Sequence, residues 1–369
     1  MSKDDNNEGK NHGASRTTKS ARNMSRRSFL STSSGLLASP ALFAAGGLTI
    51  SSFPMPAVAQ TAKAKIVAKY GHDSATSSGV HAMGEYFAGR VAQLTEGEVE
   101  VQIYPSSQLG SSAEMAQAVK QGTLEFAFPT ATLAGNVIAP ELGVFGLPYI
   151  MKSWYQSARI DDSQAAEFLR AKAIKNGVRL LAFAPNALRI LLYKMKAGGK
   201  PIARVEDVEG MKIRVIESPI DVGMWKACGA LPTPIPFGEV YSAMQQGVVD
   251  GVDNAFNTAA GIRLDEVTNA VTLTGHRYEI DIFVTNEAWF QNLSKRTQQA
   301  MLQAAREASI YQQGVVMIDD IRVPKVWADK RKIQVFVPDQ SGFIKKMTSI
   351  YPQFEAKFGK EIMQLVEKV

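Results

Sequence analysis

The 369-residue chain has few of the side chains that metal sites and nucleophilic active sites use. It contains one cysteine, Cys228, and four histidines. No histidine pair has H-x-x-x-H spacing and no Cys/His cluster occurs, so neither a transition-metal site nor a cofactor is expected. The sequence also lacks G-x-S-x-G and a phosphate-binding glycine loop, so no catalytic residue is predicted. A single cysteine excludes an internal disulfide, and its apolar helical surroundings predict that Cys228 is buried and unreactive.

Long hydrophobic runs are missing after residue 59, where no segment approaches the roughly 18 apolar residues of a membrane span. One apolar stretch precedes that point, from Gly35 to Ile50. It follows Ser25-Arg26-Arg27-Ser28-Phe29-Leu30, a twin-arginine export signature, and precedes the A-x-A cleavage site Ala57-Val58-Ala59. Residues 1–59 are therefore predicted to be a cleaved twin-arginine signal peptide, and the mature protein to be periplasmic. A permanent N-terminal anchor is the alternative.

The predicted mature chain does not have a large excess of basic over acidic residues. Of the formal net charge of +6, residues 1–59 contribute +4 through seven basic and three acidic side chains. The remaining +2 argues against nucleic-acid binding, which requires a strongly basic surface. Removal of 59 from 369 residues leaves 310, which is too many for one ordinary core and favours two lobes.

A repeated segment organises the sequence. Glu114–Glu125 reads EMAQAVKQGTLE and Glu239–Asp250 reads EVYSAMQQGVVD, so that Glu, Ala, Gln and Gly coincide at an offset of 125 residues. Hydrophobic periodicity predicts a βαβαβ order around each copy. The predicted strands are 65–70, 98–104 and 124–128, then 211–216, 231–235 and 248–254, and the predicted helices are 80–94 and 111–122, then 219–227 and 238–246. This alternation is typical of parallel α/β sheets.

The repeat predicts two similar lobes, each a βαβαβ-based sheet flanked by helices, with a ligand cleft between them. The alternative is one continuous sheet of the dinucleotide-binding kind, but neither copy has G-x-G-x-x-G after its first strand. Segments 177–183, 188–194 and 277–286 are predicted strands that connect the lobes. Lobe I is assigned to residues 60–186 and 275–314, and lobe II to residues 187–274 and 315–369.

Arg214 is the strongest binding candidate. It lies near the carboxyl end of the predicted strand KIRV, where ligands of parallel α/β sheets bind. A guanidinium between the apolar Ile213 and Val215 needs an anionic partner, because burial of an unpaired charge is costly. Its planar fork binds a carboxylate in bidentate fashion. The partner is either a ligand or an internal acid such as Glu217 or Asp207.

Four further candidates belong to the second copy or precede it. Arg189 begins an apolar run and is either a second ligand clamp or a surface arginine. Asp253 and Asn254 end the third strand, where Asn can donate and accept hydrogen bonds, although both residues are also common in turns. Phe237 precedes a helix and is either a wall of the pocket or part of the core.

The first copy supplies His72, Asp73 and Thr130. These residues follow its first and third predicted strands, so all three are expected to face the same cleft. His72 can hydrogen-bond an anion, and a buried structural histidine is the alternative.

Three segments together resemble one known family. GMKIRV at 210–215 with GALPTPIPFGEVYSAMQQGVVDG at 229–251, YPSSQLGSSAEMAQAVKQGTLEFAF at 104–128 and GVFGLPYI at 143–150 are similar to the periplasmic solute-binding subunits of tripartite ATP-independent periplasmic (TRAP) transporters, the DctP-like family. The similarity covers essentially the whole mature chain. It implies a two-lobed, type II-like periplasmic binding protein that closes around a small organic anion and delivers it to the small and large permease subunits.

The resemblance also implies roles for individual residues. Arg214 matches the arginine that binds the substrate carboxylate, Arg189 and Asn254 match residues that assist it, and Phe237 matches a pocket-lining aromatic residue. Sialic-acid binders of the family have an acidic residue at the position of Thr130 and Asn at that of Glu217, which argues against this ligand. Members that bind 2-oxo acids through a metal carry D-A-x-E-W where this chain reads DGVDN at 250–254, so a metal-bridged ligand is not expected.

The sequence therefore predicts an exported, non-enzymatic receptor for a small carboxylate that does not bind nucleic acid and does not itself span the membrane after signal cleavage. A periplasmic sensor and an exported enzyme acting on an organic acid are the alternatives. Dicarboxylates, sugar acids and aromatic carboxylates all fit an arginine clamp. The predicted ligand contacts are Arg214, Arg189, Asn254, Phe237, Glu217, His72, Asp73 and Thr130.

Overall fold

Nine strands form one hydrogen-bonded sheet within residues 65–369, which are the residues that the computed structural model describes. The predicted signal peptide and its cleavage site lie outside the described residues. The strands are β1 (Ile66–Gly71), β2 (Val99–Tyr104), β3 (Phe126–Ala127), β4 (Val178–Tyr193), β5 (Lys212–Val215), β6 (Leu231–Pro234), β7 (Gly251–Asn254), β8 (Ala270–Asn286) and β9 (Gln334–Phe336).

Helices cover this sheet. They are α1 (Gly79–Leu94), α2 (Ser112–Gln121), α3 (Ala131–Val137), α4 (Trp154–Ala158), α5 (Gln164–Lys175), α6 (Pro219–Ala227), α7 (Val240–Gln245), α8 (Phe256–Gly261), α9 (Glu287–Gln291), α10 (Lys295–Val326), α11 (Gln340–Thr348), α12 (Tyr351–Phe358) and α13 (Lys360–Glu367). In the described part of the chain, no helix combines the length and apolarity that crossing a bilayer requires.

The two sequence repeats fold into two equivalent units, as predicted. In the first unit (β1, α1, β2, α2 and β3), β1 lies between β2 and β3 and is parallel to both. In the second unit (β5, α6, β6, α7 and β7), β5 lies in the same way between β6 and β7. The shared glycines are required by the turn after each second helix, because Gly122 and Gly247 adopt φ of 78° and 72°. This left-handed conformation is costly for residues with a Cβ.

Two long antiparallel strands connect the units. β4 and β8 (the crossing strands) pair along most of their length, β8 pairs with β3, and β4 pairs with β7. Hydrogen bonding is therefore continuous from one unit to the other, although through antiparallel strands rather than a dinucleotide-binding arrangement. The predicted strands 177–183 and 188–194 are one strand, β4, with a register shift between Pro185 and Leu188. The predicted lobe boundaries at 186/187, 274/275 and 314/315 lie inside β4, β8 and α10, respectively.

Separate apolar clusters stabilise the two units. In the first unit, Phe87 contacts Phe126 and Phe283 edge to face, with ring centroids 5.3 and 4.4 Å apart. The cluster that packs on α7 and β7 of the second unit includes Phe256 of α8, which contacts Trp327 after α10 in the same geometry at 5.6 Å. Cys228 is buried in a third cluster with the C-terminal helices. This confirms its predicted burial, which raises the pKa of its thiol to about 12.

Candidate functional site

A cavity of about 630 Å³ lies where the two units meet the crossing strands. Both units direct the carboxyl ends of their parallel strands toward it, and ligands of α/β sheets bind at such ends. The first unit contributes the residues after β1, the N-terminus of α2 and the residue before α3. The second contributes β5, the turn before α7 and the end of β7. Of the predicted contacts, the structure brings to this cavity Asp73, Thr130, Arg189, Arg214, Glu217, Phe237 and Asn254.

Arg214 is the buried cation of this cavity. Its side chain is 2% exposed, and its Nε and Nη2 donate to the Ile235 carbonyl oxygen at 2.9 and 2.7 Å. Among residues 65–369 it forms no ion pair, so neither Glu217 nor Asp207 is its partner. Asp207 instead accepts hydrogen bonds from the backbone at Ala203. Burial lowers the pKa of Arg214 to about 10, and Arg189 nearby adds to this effect. The cavity therefore contains a positive charge that no acidic side chain of residues 65–369 contacts directly, although Asp253, Asp221 and Asp73 act on it from a longer distance.

Arg189 is similarly buried but is held by acidic partners. Its Nε donates to Asp253 Oδ1 at 2.6 Å, its Nη1 to Glu279 Oε2 at 2.9 Å, and its Nη2 to the Asp253 carbonyl oxygen at 2.6 Å. The side chain reaches the cavity wall, but the network of acids fixes its orientation. Arg189 therefore supports the cavity and adds positive potential to it, while three of its five N–H groups donate within the protein.

Asp253 is the centre of this buried network. Its Oδ2 accepts hydrogen bonds from Trp225 Nε1 at 2.7 Å and lies 3.2 Å from His276 Nε2. Burial alone would raise the pKa of Asp253, but Arg189 and His276 beside it lower the pKa well below its usual range. Asp253 is thus a structural anchor for Arg189 and does not line the cavity, whereas its neighbour Asn254 does.

Asn254 presents an amide to the cavity. Its Oδ1 accepts a hydrogen bond from the Ala255 backbone N–H at 2.9 Å, which fixes the amide orientation. Its Nδ2 is buried and has no hydrogen-bond partner in the described part of the chain. Such a group is costly unless a ligand accepts from it. Phe237 lines the same cavity as a partly buried ring.

The first unit supplies acceptors and a hydroxyl group. Asp73 follows β1 and accepts a hydrogen bond from Ser74 Oγ at 3.3 Å. Thr130 is the N-cap of α3 and accepts from the Leu133 backbone N–H at 3.3 Å. It also forms a backbone bridge with Asp281 of β8, which brings that carboxylate to the cavity wall.

The structure places one predicted contact, His72, away from the cavity. His72 is fully buried and does not line the cavity; its Nε2 lies 3.1 Å from His81 Nδ1 under α1. Its direction follows from the alternation of β1, because successive side chains of a strand point to opposite faces. The expectation that His72 faces the cleft is therefore corrected. Glu217 reaches the cavity only as an exposed side chain at its edge.

Sequence reasoning missed a row of charged residues on β8. Arg277, Glu279 and Asp281 are spaced by two residues and all are buried. Arg277 Nη2 donates to Asp221 Oδ1 at 2.9 Å and to Glu279 Oε2 at 3.1 Å. The signal was present, because charged residues at a spacing of two within an apolar strand must share one face. Charged residues that are buried on one face of a strand indicate a polar cavity or an ion-pair network, and β8 contributes residues to both.

Within residues 65–369, no group of three or more His, Cys, Asp or Glu side chains is placed to hold a metal ion. The site consists instead of directed hydrogen-bond donors and acceptors around an unpaired arginine.

A cleft between two α/β units with a buried arginine defines a binding protein for small anionic molecules. Residues 70–357 match the model of the family described as bacterial extracellular solute-binding protein, family 7, or DctP. The chain belongs to this family. Its sequence is 32% identical over 272 residues to a solute-binding protein of Chromohalobacter salexigens, covering 73% of this chain and 79% of the relative.

Solved structures agree with this assignment. A TRAP periplasmic solute-binding protein from Polaromonas sp. JS666, bound to D-erythronate, has a TM-score of 0.78 and 26% identity, covering 83% of this chain and 99% of that chain. One from Sulfurospirillum deleyianum with bound succinate has a TM-score of 0.76 and 29% identity over the same shares of the two chains. The prediction of a two-lobed, DctP-like TRAP solute-binding protein is confirmed.

Proposed function

We propose that this protein captures a small organic carboxylate in the 630 Å³ cavity and that Arg214 is the group that binds the carboxylate. One observation carries the proposal: Arg214 is 2% exposed, yet has no acidic partner within residues 65–369. Its bonds to Ile235 use Nε and Nη2, which leaves Nη1 for a ligand. An anion that binds here removes the cost of an unpaired buried charge.

Asn254 supports the same role. Its Nδ2 is a buried donor without a described partner on the same cavity wall, and a carboxylate oxygen would satisfy it. Arg189 contributes through its charge and holds the wall in place. The relatives with bound D-erythronate and succinate contain ligands that share a carboxylate group. That common chemistry supports a carboxylate as the group recognised by this chain.

The protein would release its ligand unchanged to a TRAP membrane permease. The family is one of transport binding proteins, which supports capture and delivery rather than turnover. The crossing strands β4 and β8 are the connections about which the two units would close. A closed form is favoured by a ligand only through contacts that the open form lacks. Asp73 and Thr130 from the first unit and Arg214 from the second supply such contacts, because a ligand in the cavity reaches both units.

The proposed site of action is the periplasm, reached by the twin-arginine route. The motif at Ser25–Leu30 and the A-x-A site at Ala57–Ala59 support this route. Replacement of Arg26 and Arg27 by lysine should leave the protein in the cytoplasm. Fractionation that recovers the double variant in the periplasm at the normal level would show that another route exports it.

The test of the binding role is isothermal titration calorimetry with Arg214→Met. A thermal-shift screen against organic acids first identifies ligands, because binding to the folded state raises its stability. Arg214→Met should lose at least about 100-fold in affinity, since removal of the partner of a buried charge costs about 2–5 kcal/mol. Arg296→Met is the matched control, since Arg296 pairs with Glu96 on the surface at 2.6 Å. Unchanged binding by the Arg214 variant would refute its role.

A further inference from the structure

Acidic residues outnumber basic residues in the wall of the cavity. Besides Arg189 and Arg214, its charged lining consists of the six acids Asp73, Glu114, Glu217, Glu239, Glu279 and Asp281. Arg189 is paired with Asp253 and Glu279. Arg214 is therefore the one lining cation that has no acidic partner within residues 65–369. In a ligand with two carboxylates, one carboxylate would pair with Arg214. The other carboxylate would then lie near several acidic side chains of the cavity.

Two of the lining acids lie deep in the first-unit side of the cavity. Asp281 is 4% exposed, and its Oδ2 accepts a hydrogen bond from Asn186 Nδ2 at 2.8 Å. Asp73 accepts only the bond from Ser74. In the described part of the chain neither acid has a lysine or arginine at ion-pair distance. Burial raises the pKa of both, and Glu279 adds to the effect on Asp281. No cationic side chain of residues 65–369 contacts either carboxylate directly, although Arg214 acts on Asp73 and Arg189 on Asp281 from a longer distance.

Unsatisfied atoms on the same wall point to a ligand. Glu279 is 3% exposed, and its Oε1 has no described hydrogen-bond partner, while Oε2 is held by Arg189 and Arg277. Asn254, also 3% exposed, has the unpartnered donor Nδ2. The cavity thus offers an unpartnered donor on β7, which is the neighbour of the Arg214 strand, and an unpartnered acceptor on β8, which also carries Asp281. This polarity matches a molecule that is negative at one end and donates hydrogen bonds at the other.

We propose that the ligand is a zwitterion, with a carboxylate bound by Arg214 and an ammonium or amidinium group bound between Asp73 and Asp281. The inference rests on the proposed function, because it assumes that Arg214 binds the carboxylate. A cationic group would neutralise the deep acids, as an opposite charge within about 4–6 Å favours the ionised carboxylate. A second carboxylate would instead meet like charge, which disfavours it by the same reasoning. The cavity lies within the roughly 300–1,000 Å³ of typical small-molecule sites.

A thermal-shift panel with three classes of monomeric acids tests this assignment on the full-length exported protein. The classes are carboxylates with an ammonium, amidinium or quaternary-ammonium group, dicarboxylates, and acids whose other groups are hydroxyls only. The expected result is that acids of the first class are the only ones that stabilise the protein, or that they stabilise it more strongly than the other two classes do. Stabilisation strongest by dicarboxylates or by hydroxy acids overturns the zwitterion and leaves the proposed function intact. No response in any class contradicts both.

Calorimetry with matched analogues and variants then locates the cationic group. For the best ligand of the first class, the analogue with hydroxyl in place of the ammonium should bind at least about tenfold more weakly. Asp73→Asn should remove most of that difference while Arg214→Met abolishes binding of both ligands. Asp162→Asn is the control, because Asp162 pairs with Arg306 on the surface. An Asp73→Asn and an Asp281→Asn protein that both retain the full preference for the ammonium compound would overturn the proposal.

Discussion

Arg189 and Arg214 reach the same cavity from strands on either side of β7, and within residues 65–369 only Arg189 has an acidic partner. The two arginines are 4% and 2% exposed, so burial does not distinguish them. The difference lies in their neighbours. Asp253 and Glu279 neutralise Arg189, whereas Arg214 contacts a backbone carbonyl. Arg189 is therefore held by ion pairs, whereas Arg214 has no acidic side chain in direct contact among residues 65–369.

Arg214→Met should change the stability of the ligand-free protein by no more than about 1 kcal/mol. The variant removes a buried charge without a partner, and replacement of such a charge by an apolar side chain is close to neutral or favourable. The lost bonds to the Ile235 carbonyl oxygen offset part of the gain. Urea unfolding without ligand measures the change. A loss of several kcal/mol would show that Arg214 is required by the fold.

Arg189→Met should destabilise the protein by about 3–5 kcal/mol, because it leaves Asp253 and Glu279 buried without their partner. Arg306→Met serves as the control. That arginine is half exposed and pairs with Asp162, and exposed pairs are worth less than about 1 kcal/mol. Equal unfolding free energies for the two variants would contradict the structural role of Arg189.

Asn254→Asp should weaken carboxylate binding by at least about 100-fold. The substitution preserves the oxygen that accepts from Ala255, but it removes the donor Nδ2 and adds a negative charge beside the ligand carboxylate. Calorimetry with the best ligand provides the measurement. Asn176→Asp, at an exposed helix end, is the isosteric control and should bind normally. Binding by the Asn254 variant within a factor of three of the wild type would exclude a ligand contact.

His72 should make stability depend on pH between about 6.5 and 4. Burial lowers the pKa of His72 to about 4, and His81 adds to the effect, whereas the unfolded chain titrates near 6.5. The unfolded state therefore binds the proton first as pH falls. The contribution of neutral, buried His72 to the free energy of unfolding is complete above pH 6.5 and is lost as pH decreases toward 4. Its total is on the order of 3 kcal/mol.

His72→Gln tests this dependence. Its unfolding free energy, measured by urea titration at pH 7.5, 6 and 4.5, should fall less steeply toward acid than that of the wild type. Carboxylates that titrate in this range are present in both proteins. Their contribution therefore cancels in the difference between the two unfolding free energies. Parallel pH profiles would mean that His72 does not titrate as its burial requires.

Local sequence signals were sufficient for the units themselves. The predicted helix 219–227 matches α6 (Pro219–Ala227), because a serine cap and a proline at its first position define its start. The second helix of each unit ends before a glycine with positive φ, as the repeat indicated. The predicted strands 177–183 and 188–194 left out the segment between them, which contains Pro185 and Asn186 but is buried and belongs to β4. Pairing with β8 continues through that register shift, and this pairing partner is about 90 residues away in the sequence.

The sequence by itself determined the two βαβαβ units, the position of Arg214 at a strand end and the family of the chain, since each depends on short-range patterns. Only the tertiary structure decided which arginine is neutralised and which face His72 takes. Arg189 meets Asp253 and Glu279 across sequence separations of 64 and 90 residues. Such ion pairs exist only once β4, β7 and β8 are neighbours in the sheet. The acidity of the cavity wall has the same origin, because it gathers carboxylates from both units and from a crossing strand.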